Sequence, residues 1–92
     1  MSQERDWKDL FVPDTQIRVK EGGTITASPD FETPQTVEIT EVSDMTDKDG
    51  DWPQAITFRY VPDSSNKIIE TTVDNIYIRE AIERGDAEIL DT

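Results

Sequence analysis

The chain has no cysteine and no histidine among its 92 residues. The first absence excludes disulfides and thiolate metal centres. The second removes the commonest general base and the commonest transition-metal ligand. No apolar run approaches the roughly 18–20 residues needed to cross a bilayer. The start, MSQERDWKDLF, lacks the basic lead and apolar centre of a signal peptide. These absences predict a complete cytoplasmic chain with no membrane segment and no cofactor. Lysine is scarce as well, with only four.

Acid is what the chain has instead. Against nine Lys+Arg stand 21 Asp+Glu, a formal net charge of −12 and a pI near 4.1. Aspartate outnumbers glutamate, 12 to 9, and threonine is frequent. Such a composition resembles that of haloarchaeal cytoplasmic proteins, whose acids hold water and ions in molar salt. The acids are spread along the chain without a block of five or six, which suits a solvated surface better than an interaction tail. In dilute buffer their mutual repulsion opposes the compact state. At about 1 M salt the Debye length falls to roughly 3 Å and the repulsion is screened.

The length is that of one domain, residues 1–92. Its plan is an N-terminal helical segment over 1–13, a β core over 16–73, and a C-terminal helix and tail over 74–92. Trp7, Leu10 and Phe11 make one apolar stripe on a short helix that Pro13 ends, folded back over the sheet. QIRVK at 16–20 turns Ile17 and Val19 inward, and residues 24–26 resume extended structure after the Gly22 and Gly23 turn. SPDFETPQ reads as a loop, in which Phe31 either plugs the edge of the core or serves as an exposed contact. TVEITEVS at 36–43 is a half-buried strand whose Val42 falls out of phase with Val37 and Ile39. A β-bulge near Thr40 and Glu41, or the end of the strand, accounts for that. AITFRYV at 55–61, with Ile56, Phe58 and Tyr60 on one face, pairs with KIIETTV at 67–73 as a hairpin around PDSSN. Asp74 as N-cap, the stripe Ile78, Ala81 and Ile82, and Gly85 predict a helix over 75–84. The competing reading makes residues 76–78 a strand. AEIL at 87–90 can supply a short closing strand.

Four or five short strands with little helix between them predict a mainly β fold with minor α: a small antiparallel barrel or rolled sheet. In size and strand count the nearest architecture is SH3-like, an analogy of form that carries no function.

The one stretch with the look of a chemical motif is TDKDGDWP at 46–53. Asp47, Asp49 and Asp51 occupy positions 1, 3 and 5 of a calcium loop, but Trp52 stands where its glycine belongs and Phe58 where its bidentate glutamate belongs. The EF-hand reading fails there. Loose divalent binding by the three aspartates, with Asp44 nearby, stands against a solvated hairpin tip turning at Asp49 and Gly50, and the tip is the better reading. Serine has no conventional activating base here, and among so many carboxylates suitable pairs arise by chance, so no enzyme is expected. A single-stranded nucleic-acid interface would use Phe58 and Tyr60 beside Arg18, Lys20 and Arg59. The few basic residues are diluted by acids, and the two aromatics alternate like core residues, so this ranks second.

The leading expectation is a non-catalytic module that binds another protein, with Trp52 and Phe31 as its candidate contacts. The composition makes a first prediction: circular dichroism will show folded structure gained as KCl rises from dilute buffer to molar concentration. Full native signal in dilute buffer, unmoved by salt, would refute the solvation role of the acids.

Overall fold

Alternating apolar residues set the strands, and the turns between them set the order. The computed structural model describes residues 11–28, 31–48, 50 and 52–90. In chain order the elements are β1 (Gln16–Val19), β2 (Gln35–Val42), β3 (Ala55–Tyr60), β4 (Ile69–Asp74), α1 (Asn75–Arg84) and β5 (Ala87–Leu90). They build one five-stranded sheet in the order β4-β3-β2-β1-β5, with every neighbouring pair antiparallel. The sheet is open, with β4 and β5 as its edges, so backbone pairing does not close it into a barrel.

One face of this sheet is the core. Ile17 and Val19 of β1, Val37 and Ile39 of β2, Ile56, Phe58 and Tyr60 of β3 and Val73 of β4 are buried, with Phe11, Ile25, Ile78, Ala81 and Ala87. The pairing of β2 with β3 breaks step after Ile39. Ile39 faces Phe58 and Glu41 faces Thr57, which leaves Thr40 as an extra residue. A strict two-residue period would turn Val42 to the outer face. The bulge instead brings Val42 opposite Ile56 and packs it against the core, which resolves its phase in the sequence.

The chain leaves β4 at one edge and returns as β5 at the other, and α1 makes the crossing, touching both strands. Its stripe is the expected one: Ile78 and Ala81 are buried and Ile82 is half-buried against them. At its end Gly85 takes a left-handed φ of 84°. The Asp86 amide donates to the Ala81 carbonyl at 2.8 Å and the Gly85 amide to Ile82 at 3.1 Å, a Schellman ending that satisfies two terminal carbonyls. Asp74 holds the N-cap position in extended conformation, without a side-chain capping bond. The strand reading of residues 76–78 is therefore corrected to helix.

Other expectations need adjustment. The N-terminal helical segment falls mostly on residues 1–10, outside the described residues, and 11–13 form a bend and a turn. Phe11 nevertheless lies in the core at 1% exposure. Residues 24–26 form no strand. The Thr24 hydroxyl donates to the Thr26 carbonyl at 2.7 Å and accepts from the Thr26 amide at 3.3 Å. This local bonding competes with a sheet ladder, while Ile25 between them plugs the core. The returning hairpin strand starts at Ile69 instead of residue 67, and Ile68 is left exposed.

Phe58 lies at the centre of the buried face with no exposed surface. Phe58→Ala is expected to cost about 3–5 kcal/mol, whereas Ile68→Ala stays within about 0.5 kcal/mol. Urea denaturation in molar KCl measures both. Equal effects would contradict this placement of the core.

Candidate functional site

The loop joining β2 to β3, residues 43–54, begins as a continuation of the hairpin. The Ser43 amide donates to the Ala55 carbonyl at 3.0 Å, and the Ala55 amide donates to Ser43 Oγ at 3.1 Å. Thr46 bridges Pro53 in antiparallel fashion. At the tip the Asp47 amide donates to the Trp52 carbonyl and the Gly50 amide to the Asp47 carbonyl, both at 2.9 Å. Gly50 sits at φ 80°, a left-handed geometry that suits glycine.

The first turns of α1 hold this loop down. Asn75, buried to 3% exposure, donates from Nδ2 to the Pro53 carbonyl at 2.8 Å and to the Gln54 carbonyl at 3.3 Å. One helical turn later, on the same face, Arg79 donates from Nη1 to Asn75 Oδ1 at 3.1 Å and to Asp47 Oδ2 at 2.6 Å. The guanidinium lies 4.8 Å from the centre of the Trp52 ring. Trp52 in turn meets Phe11 edge-to-face at 4.8 Å and 72°. The Arg79 and Asp47 side chains keep only 16% and 17% of their surface, so solvent screens this pair less than an exposed one. A cation over an indole face adds to the attraction.

The sequence candidates occupy definite places. Trp52 is half-buried between Phe11 and Arg79. Phe31 is half-buried too, its ring edge-to-face with Tyr60 at 5.1 Å and 85°. Both pack against the core, and the fold does not join them in one aromatic patch through any ring contact among the described residues. Of the aspartates weighed for a cation, Asp47 is paired with Arg79 and its other oxygen accepts from the Gly50 amide at 3.2 Å. Asp49 and Asp51 lie outside the described residues, and among the described residues no three acids gather in a metal-holding group.

Beside the anchored loop runs a groove of about 500 Å³, lined by Met45, Thr46, Gln54, Asp74, Ile76 and Arg79 among others. Met45 is 65% exposed and Ile76 40%, and Tyr77 on the next helical position is 52% exposed. Reading the sequence by its apolar stripe passed over these residues because Ile76 and Tyr77 lie off the Ile78, Ala81 and Ile82 face. The spacing of Asn75 and Arg79, four apart at a helix start, was the available signal for the polar clamp. Its partner Asp47 is 32 residues away and left no local trace.

The outer face of the sheet is polar. Arg59 donates to Glu38 from Nε at 3.0 Å and from Nη2 at 2.8 Å, and it stands opposite Glu70. Arg18 is opposite Glu88, and Lys20 and Arg84 both reach Asp86, at 3.8 and 2.9 Å. Phe58 and Tyr60 face the other way, into the core. No helix among the described residues is long and apolar enough to cross a membrane. Comparison with protein-family models, with curated proteins and with solved structures gave no match for this chain.

Arg79→Ala removes the guanidinium from a half-buried carboxylate and from the indole face. It is expected to cost about 1–3 kcal/mol, read from the urea midpoint of tryptophan fluorescence. Arg79→Lys will recover less than half of the loss, because one ammonium cannot reproduce the planar fork stacked on Trp52. An unchanged midpoint in Arg79→Ala would show that the clamp contributes nothing.

Proposed function

We propose that this chain is a non-catalytic protein-interaction module of halophilic type, a rolled sheet of SH3-like size that docks a partner at the start of α1. The observation that carries this reading is the exposed apolar set Met45, Ile76 and Tyr77, with Met45 and Ile76 lining one groove. Surface of this kind is commonplace singly, but here it flanks a loop held by the Asn75, Arg79 and Asp47 clamp. A preformed site loses little freedom on binding. The contact of α1 with both edge strands supports a rolled sheet. Trp52 and Phe31 serve this reading as half-buried supports whose remaining exposed edges can join the contact.

Single-stranded nucleic acid is the competing ligand. A stacking platform needs exposed rings, yet Phe58 and Tyr60 are 0% and 3% exposed. The cations of the outer face stand beside acids, which leaves a weak attraction for phosphate.

Affinity capture from a halophile lysate in molar KCl, with and without nuclease, separates the two. The expected result is a nuclease-resistant protein that is retained at least tenfold less by Met45→Glu/Ile76→Glu, a variant that keeps its circular dichroism. Nuclease-sensitive nucleic acid as the main product, indifferent to those substitutions, would replace this reading with the competing one.

A further inference from the structure

The hydrogen-bond phase of β4 can be worked out from its two ends. Residues facing each other in an antiparallel pair alternately exchange both backbone bonds or turn both groups away. Ala55 faces Asp74, and one step further the Asn75 amide donates to the Gln54 carbonyl at 3.2 Å. The Gln54 carbonyl thus faces β4, although its amide goes to Met45, and in this phase Ile56 with Val73, Phe58 with Thr71 and Tyr60 with Ile69 are the bonded pairs. On the other side of β3, the Ser43 amide reaches the Ala55 carbonyl, which turns Ala55 toward β2 and agrees with this phase. It follows that Glu70 and Thr72 point their amides and carbonyls out of the sheet and that Asp74 adds its amide, its carbonyl being taken up by the first turn of α1. Among the described residues no loop, turn or cap backbone bond reaches Glu70, Thr72 or the Asp74 amide on that side.

This open edge adjoins a groove of about 450 Å³ with residues 26–28 along its far wall and Tyr77 at one end. It meets the α1 groove at Asp74, which lines both. A row of outward amides and carbonyls spaced two residues apart is complementary to one kind of guest, another strand. The side chains choose its charge. If a second copy paired antiparallel about Thr72, Glu70 would stand directly opposite Asp74 of its neighbour, twice, and like charges so placed repel. Lysines four apart on a guest strand would instead each face one of those acids.

We infer that the β4 edge accepts an extended, lysine-bearing segment of a partner protein as a sixth strand, continuous with the apolar contact at α1. This rests on the reading of the chain as an interaction module and adds the conformation and charge of what it binds. A self-pairing β4 is the alternative occupant, and it is disfavoured by the acids.

Amide hydrogen exchange by NMR on the intact labelled chain tests it, at the lowest KCl concentration that keeps the chain folded. The probe is the capped peptide TVKVTVKVT, with TVEVTVEVT as its charge-reversed control. With peptide at about ten times its Kd, the Glu70, Thr72 and Asp74 amides are expected to slow about tenfold, while Ile69, Thr71 and Val73, already bonded to β3, stay unchanged. The control peptide should protect none of them. Thr72→Pro removes one outward amide while sparing the ladder to β3 and should abolish protection with circular dichroism retained. Glu70→Lys/Asp74→Lys should exchange the preference between the two peptides. Absence of protection, protection without the alternation, or concentration-dependent protection without peptide would each overturn the proposal. Capture that depends on Met45 and Ile76 beside a silent β4 edge would remove the strand alone and leave the module reading standing.

Discussion

Arg79 holds the loop of residues 43–54 to the start of α1 through a single guanidinium shared among several neighbours. It donates to Asp47 and to Asn75 and lies over Trp52. Asn75 relays the hold to the backbone at Pro53 and Gln54, where β3 begins. Trp52 carries it into the core through Phe11. The helix is thereby fixed against the hairpin at its first turns, and its Schellman ending at Gly85 aims the chain into β5. Without that anchorage the crossing between two edge strands would lean, among the described residues, on Ile78, Ala81 and Ile82 and on the Asp86 contacts at its far end. The clamp is polar and largely shielded, so its worth lies less in net stability than in allowing one arrangement of loop and helix.

How much of this was legible in the sequence follows the range of the interactions. The β3–β4 hairpin, the helix over 75–84 with its glycine end and the alternation in β1 all come from neighbours a few residues apart, and all are found. Val42 is instructive, because one residue out of phase left a bulge near Thr40 and Glu41 or a strand end as alternatives, and the pairing shows the bulge. The failures are of two kinds. Residues 24–26 look extended by composition, yet threonine hydroxyls bonding to nearby backbone win over pairing. The clamp fails for the opposite reason, since Asp47 and Arg79 are joined only by the tertiary fold. Read alone, Asp47 is one acid in an acidic loop, suited to a cation or to water. In the fold its counter-ion is an arginine from the helix, which fastens the Asp47 side of a stretch already read as a hairpin tip to α1.

The scarcity of cations gives each of them weight. With nine Lys+Arg against 21 Asp+Glu, arginine is placed where geometry matters: Arg79 in the clamp, Arg59 forked onto Glu38 and Arg84 on Asp86 at the end of α1. The planar guanidinium suits such fixed contacts better than an ammonium. Most of the remaining described acids are exposed, and charges so placed are open to screening by salt. A fold stabilised in this way divides its electrostatics in two. The shielded pair at Asp47 responds weakly to ionic strength, and the exposed acids respond strongly.

That division bears on the edge at β4. Natural sheets protect open edges with charge, and Glu70 and Asp74 can be read as that protection alone. Protection by like charge, however, acts only against strands bearing the same sign. In a chain with a net charge of −12, two acids flanking Thr72 oppose the pairing of one copy with another while the outward amides beside them suit a strand of opposite charge. On the proposal above, the same pair of residues would supply both the repulsion that opposes a two-fold β4 dimer and the attraction that would select a partner. Specificity needs both terms, and here they arise from one feature because the wrong guest and the right one differ in sign.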